Sequence, residues 1–169
     1  MVIITLRFLA SGKMQQCNSD DMGVSQSTVS TVIAQTLDAL SSIDILRRFI
    51  TFPHTMDAVE RKKAEFLHIA QFSGVIGVTD CTHIRNVAPK QEEAAYINRK
   101  RYHSINVQIA FDENYKTAEV LAKCPGSVHD ARIFSDNAIR PLFERNIIPA
   151  GCHLLGDRRY SSQQYLLTP

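Results

Sequence analysis

Apolar residues follow two different rhythms along the chain, and the change of rhythm divides it. In the first part they recur at helical spacing. Leu6, Phe8 and Leu9 open one amphipathic stretch, and Val29, Val32, Ile33, Thr36, Leu37 and Leu40 follow the 3, 4 spacing of a single helix face. Pro53 interrupts the pattern, and residues 56–69 resume it. From Gly74 onward the apolar runs are short or alternate with polar residues, which is the period of a strand. This predicts strands over 74–78, 104–111, 116–122 and 153–155, with a break at Pro125-Gly126 and a helix over 130–143. The expectation is an α/β chain: a helical region over residues 1–72, then a sheet-bearing domain over 73–169.

Within the helical region, Met22 to Ile33 has the grammar of a turn followed by a recognition helix. Gly23 suits a left-handed turn position. Ser25 can cap the next helix and leave Gln26, Ser27 and Thr28 exposed on its first turn, where short polar side chains reach bases or phosphates. A capped helix in a small bundle that touches no DNA uses the same residues in the same order, and the pattern leaves both readings open. Residues 11–21 are polar and lack a helical face, so the leading helix of a helix-turn-helix is weak.

The second region carries the stronger chemistry. Val75, Ile76 and Val78 form an apolar strand that is expected to deliver Asp80 to its C-terminal end, and His153-Leu-Leu-Gly-Asp157 repeats the arrangement. Two aspartates on neighbouring strands make half of a Mg²⁺ or Mn²⁺ site, leaving positions for water and phosphate oxygens. Either aspartate alone reads equally as a turn cap. Between them Arg99, Lys100 and Arg101, flanked by Tyr96, Tyr102 and His103, form a basic patch able to hold a phosphate backbone without reading sequence. Asp130 opens the 130–143 helix and reads either as a third acid or, the favoured reading, as a charge favourable to its N-terminus. Cys81-Thr-His83 and Cys152-His153 lack zinc-ligand spacing.

Composition limits these readings. The chain has 169 residues, 44% of them hydrophobic, and a formal charge of +2. That excludes wholesale disorder and confines any nucleic-acid contact to local patches. Cys17, Cys81, Cys124 and Cys152 form no Cys-x-x-Cys pair, as expected of reduced intracellular thiols. The apolar stretch of residues 1–10 is short and interrupted by Arg7, below the length of a signal peptide or membrane span.

Taken together, Gly74-Val-Ile-Gly-Val-Thr-Asp-Cys-Thr-His-Ile84, Ala88-Pro89, Tyr96-Ile-Asn-Arg-Lys100, His103-Ser-Ile-Asn106, Pro125-Gly-Ser-Val-His-Asp130, Leu154-Leu-Gly-Asp157 and Leu166-Leu-Thr-Pro169 resemble the Harbinger transposase-derived nuclease family of DDE-type endonucleases. The helical region is similar to that family's N-terminal portion. The resemblance implies a partial RNase H-like mixed sheet, a divalent-metal (Mg²⁺ or Mn²⁺) nuclease acting on DNA phosphodiester bonds, and nuclear residence. It leaves room for a separate DNA-binding partner protein. Asp80 matches the first catalytic acid and metal ligand, and Asp157 the second. The third, a glutamate, is expected on a helix after Pro169, since Glu144 precedes the second acid. The last sheet strand is expected to be missing with it. Arg158-Arg159 departs from the family pattern of small or less basic residues, and a guanidinium there would compete with a metal for Asp157. A non-catalytic DNA-binding or partner-binding protein derived from a transposase is the alternative.

Overall fold

The computed structural model describes residues 2–169, which form two compact units divided between Phe49 and Ile50. The expected division at 72/73 thus moves to 49/50. The reason is α5 (Met56–Ala70): it packs on the sheet, with Val59 fully buried in the same apolar cluster as Ile76. Helical periodicity marks a face to be buried and does not name the partner that buries it.

The first unit is built from α1 (Val2–Ser11), α2 (Gln15–Met22), α3 (Gln26–Leu40) and α4 (Ile43–Phe49). Its core is small: Ile4 from α1 and Val29, Val32 and Ile33 from α3, with Phe8, Met22 and Val24 packed against them. The segment expected to be a weak helix does form α2. Its buried residues are polar, Asn18 and Ser19, and they are held by hydrogen bonds: Asn18 Nδ2 donates to the Met14 carbonyl at 3.2 Å and Ser19 Oγ to the Val24 carbonyl at 2.7 Å. Apolar periodicity misses a helix stabilised in this way. Among the described residues no single helix is long and apolar enough to cross a membrane.

The second unit holds a five-stranded sheet in the order β3-β2-β1-β4-β5, made of β1 (Val75–Arg85), β2 (Ser104–Phe111), β3 (Thr117–Pro125), β4 (His153–Leu155) and β5 (Leu166–Leu167). β1, β2 and β3 are antiparallel neighbours, whereas β4 runs parallel to β1 and β5 parallel to β4. This is the mixed sheet of an RNase H-like α/β fold. Short helices α6 (Glu93–Tyr96), α7 (Asp130–Ser135) and α8 (Arg140–Glu144) lie in the connections.

Three expectations change. β1 runs on to Arg85 because every residue from Val78 onward pairs with β2, so Asp80 stands in mid-strand opposite Ile109 and not at a strand end. The helix expected over 130–143 is two helices, because the Ile139 backbone N–H is taken by Asn137 Oδ1 at 2.7 Å and Pro141 starts a new helix. The last strand is present as β5, two residues long and held by Leu166 and Leu167 against Leu154 and Leu155.

β2 inverts the usual alternation. Ser104, Asn106 and Gln108 are the buried face, at 0%, 1% and 0% exposure. Each makes side-chain hydrogen bonds, without which burial would cost on the order of 1–3 kcal/mol per group, and only Asn106 Oδ1 of the three residues' buried side-chain atoms is left without a partner. Gln108 Nε2 donates to Tyr160 Oη at 3.0 Å, and Asn137 Nδ2 donates to Gln108 Oε1 at 2.6 Å.

Candidate functional site

β1 and β4 place the two predicted acids. Val78 pairs with Leu155 in parallel register; Asp80 follows two residues later within β1, and Asp157 two residues later in the turn after β4. Alternation puts Asp80 on one side of β1 and Cys81 and His83 on the other. Asp80 is exposed, and its Oδ1 accepts the Cys81 backbone N–H at 2.7 Å. Asp157 is partly exposed, and its Oδ1 accepts the Arg159 backbone N–H at 2.9 Å, which closes the turn after β4.

Arg159 touches more than its own turn. Its Nε lies 3.5 Å from Asp157 Oδ2 and its Nη1 3.5 Å from Asp130 Oδ2. One guanidinium therefore bridges a carboxylate after β4 and another at the start of α7. Asp130 is only 6% exposed, and its Oδ1 accepts from Asn106 Nδ2 at 2.8 Å. It is a buried cleft residue as well as a helix-end charge.

On the same side of the sheet, His83 Nδ1 lies 3.1 Å from Ser104 Oγ, which in turn accepts from Asn98 Nδ2 at 2.9 Å. Asn98 also builds the basic loop, because its Oδ1 accepts the Lys100 N–H at 2.9 Å and its carbonyl accepts the Arg101 N–H at 2.8 Å. Arg99, Lys100 and Arg101 are all exposed on this loop. Burial lowers the His83 pKa, as do the nearby Arg99, Arg159 and Lys100 charges, while Asp130 opposes them. The Arg85 guanidinium stacks 4.3 Å from the Tyr102 ring centroid and secures the far end of the loop.

The turn after β4 is anchored by Tyr160, whose hydroxyl lies 3.2 Å from Cys81 Sγ. Burial pushes the Cys81 thiol up to about 12, so it is a packed thiol and not a nucleophile. Cys81, Cys124 and Cys152 are buried and Cys17 is exposed, all free.

The DNA-reading residues expected in the first unit sit together at the start of α3. Ser25 caps the helix by accepting the Thr28 N–H at 3.2 Å, and Gly23 takes the expected left-handed conformation with φ of 64°. Ser25, Gln26, Ser27 and Thr28 are exposed. Ser25 Oγ is shared with Ser27 Oγ and Thr28 Oγ1, both at 2.8 Å, so Gln26 has the less committed side chain.

Among the described residues no three His, Cys, Asp or Glu side chains converge on a point that could hold a metal ion. The carboxylates of Asp80 in β1 and Asp157 in the turn after β4 are still of the donor chemistry of Mg²⁺ or Mn²⁺, which keep several waters in an open site. The Arg159 guanidinium beside Asp157 is the opposing feature. Sequence reasoning passed over His83, Asn106 and the burial of Asp130. The polar alternation Ser104, Asn106, Gln108 was the available signal, but it reads as a solvent face until the helices are placed.

Comparison with known proteins identifies the family. The profile of the DDE superfamily endonuclease family matches residues 79–169. The candidate nuclease HARBI1 of Mus musculus is 34% identical over 168 residues, covering 99% of this chain and 47% of its own length, and human HARBI1 is 33% identical over 172 residues. Protein ALP1-like of Arabidopsis thaliana is 24% identical over 98% of this chain and 40% of its own length. The chain thus spans about half the length of the curated relatives it matches. Among solved structures, the Mos1 transposase paired-end complex with left transposon end aligns over 97% of this chain and 54% of its own at 16% identity, with a TM-score of 0.33 too low to support any inference. On the strength of the family match, the chain belongs to the DDE superfamily endonucleases, among the Harbinger transposase-derived proteins.

Proposed function

We propose that this chain carries the strand-borne acids of a divalent-metal nuclease acting on DNA phosphodiester bonds. The observation behind this reading is the parallel pairing of β1 with β4, Val78 opposite Leu155, with Asp80 and Asp157 each two residues beyond that pair. Asp80 and Asp157 would hold Mg²⁺ or Mn²⁺ and serve as the catalytic acids. When bound there, such an ion supplies charge stabilisation of a phosphoryl oxygen and activation of a water. The protein residues do the positioning: Asp80 is fixed by the β1–β2 register, Asp157 by its turn and Tyr160. Arg99, Lys100 and Arg101 would hold the strand by its phosphates, at a salt-dependent affinity. Nuclear residence accords with a DNA substrate. Titration of Mn²⁺ into the purified chain and an Asp80→Ala variant tests the reading. Binding that disappears in D80A supports it, and equal heats in both would sink it.

A second reading rests on the exposed start of α3. Gln26, Ser27 and Thr28 on a capped helix after the Gly23 turn suit DNA contact without catalysis, alone or beside a DNA-binding partner protein. Replacing the three with Ala leaves the fold of α3 in place. Duplex affinity unchanged by that replacement would remove this reading.

A further inference from the structure

A run of buried hydrogen bonds crosses the second unit, from the connection between α7 and α8 to the strand that carries Asp80. Its members are Asn137, Gln108, Tyr160 and Cys81, all buried, and each comes from a different part of the fold: the α7–α8 connection, β2, the turn after β4, and β1.

One backbone group sets the direction of every bond in the run. The Ile139 N–H can only donate, and it meets Asn137 Oδ1 at 2.7 Å. The Asn137 amide is thereby fixed with Nδ2 on its other side, where it donates to Gln108 Oε1 at 2.6 Å and to Glu119 Oε2 at 2.9 Å. Both of its protons are then used. Gln108 is left one orientation, with its oxygen toward Asn137 and Nε2 toward Tyr160 Oη, 3.0 Å away. The hydroxyl accepts that bond, so its own proton is free for Cys81 Sγ at 3.2 Å.

We propose that Asn137 is a positioning residue for the Asp80–Asp157 pair, acting through Gln108 and the Tyr160 hydroxyl. The proposal rests on the acid-pair reading above and deepens it, by assigning the control of that pair to a residue that touches neither acid. Tyr160 is the link, because each of its ends meets a group that holds an acid. Its backbone N–H donates to the Asp157 carbonyl at 3.2 Å, inside the turn that Asp157 Oδ1 closes on the Arg159 N–H. Its hydroxyl meets Cys81, whose backbone N–H holds Asp80 Oδ1 at 2.7 Å. A change in what the hydroxyl donates to therefore reaches the supports of both acids and alters neither acid itself.

Burial turns the run into a constraint. A surface amide exchanges its partners for water at little cost, whereas these groups are enclosed and have one another to bond with. Reversing one member then obliges the next to reverse as well.

The test reverses the run without changing its size. Asn137→Asp keeps an oxygen for the Ile139 N–H and puts a second oxygen where Nδ2 stood. Gln108 then turns over to donate to it, its own oxygen faces Tyr160 Oη, and the hydroxyl proton is drawn from Cys81 to Gln108. Glu119→Gln is added so that the new carboxylate meets an amide and not a second carboxylate. The full chain is compared with N137D/E119Q, E119Q alone, Tyr160→Phe and the core trim Ile148→Val, and thermal unfolding confirms that each is folded. Two quantities are read: the NMR signals of the Cys81 and Arg159 backbone amides, which hold the two acids, and Mn²⁺ affinity by calorimetry. N137D/E119Q is expected to shift both amide signals and to bind Mn²⁺ about tenfold more weakly. E119Q and I148V are expected to match the parent in both, even where they lower stability, which separates positioning from a loss of packing. Parent-like amide signals in folded N137D/E119Q would overturn the proposal, and so would shifts of the same size in I148V. Y160F keeps the ring and breaks the run at its last bond, so it decides the matter should the double variant not fold: both amides shift if the link is real, and unmoved amides refute it. A parent that binds no Mn²⁺ removes the metal reading alone, since the amide signals still report whether Asn137 sets the two acids.

Discussion

The hydroxyl of Tyr160 lies 3.2 Å from Cys81 Sγ, joining the residue after Asp80 to the turn that carries Asp157. Tyr160 also receives a hydrogen bond from Gln108 Nε2 at 3.0 Å and meets the Phe134 ring edge-on with centroids 6.0 Å apart. One buried phenol therefore ties β1, β2, α7 and the turn after β4 into a single frame. Tyr160→Phe keeps the ring and strips the hydroxyl, leaving Gln108 Nε2 without an acceptor. Chemical denaturation is expected to show a loss of about 1–2 kcal/mol. A loss near zero would mean that Gln108 finds water instead.

Lys62 is a second buried node. Its Nζ lies 2.7 Å from Glu113, 3.1 Å from Asp112 and 3.0 Å from Glu65, and the Glu113 and Asp112 side chains are 4% and 13% exposed. Lys62→Met leaves these carboxylates uncompensated and is expected to cost about 3–5 kcal/mol. Burial works against the charge on Lys62, but the three carboxylates outweigh it and raise its pKa. Its contribution is therefore complete at neutral pH and is lost only as pH climbs through that raised value. A parent and K62M of equal stability at pH 7 would contradict this account.

Gly126→Ala is expected to cost at least about 2 kcal/mol, because two of the three colliding atoms are backbone carbonyls that cannot swing aside. Thermal unfolding reads the loss. Ser127→Ala, one residue along and exposed, is the comparison and is expected to be nearly silent.

His83 sets a pH dependence. Its pKa is lowered in the fold, by burial first and by the surrounding cations Arg99, Arg159 and Lys100, against Asp130. The unfolded chain therefore binds the proton more readily, and stability rises with pH between the lowered value and about 6.5. Acidification through that window removes the stability, and His83→Gln is expected to flatten the slope there. An NMR titration of the ring with a midpoint at or above 6.5 would refute the assignment.

At the first unit, Ser25→Ala removes the cap on the Thr28 N–H and is expected to cost about 1 kcal/mol. The Gln26→Ala change is expected to leave stability nearly unchanged, so the pair separates folding from any DNA contact at the same helix end.

Much of the fold was legible along the chain. β2 falls on the expected 104–111, β4 on 153–155, and α5 within a residue of the expected helix. The Gly23 turn and the Ser25 cap also form as local chemistry dictates. These are features in which the residues concerned are neighbours in sequence, so propensity, capping and periodicity suffice.

The amino-acid sequence alone determined the two aspartates, the basic loop, the α/β order of elements and the family they belong to, because each is written in a contiguous run of residues. Tertiary structure decided the rest. It turned Ser104, Asn106 and Gln108 inward, since Asp130, Asn137 and Tyr160 arrive from distant elements to satisfy them. It carried β1 past Asp80, since β2 offers an unbroken ladder of partners. It also set Arg159 between Asp157 and Asp130, a contact between residues 29 and 27 positions apart from Asp130 in the chain that no local pattern encodes. Hydrogen-bond satisfaction and ion pairing across the fold depend on which groups meet, and only the folded chain brings them together.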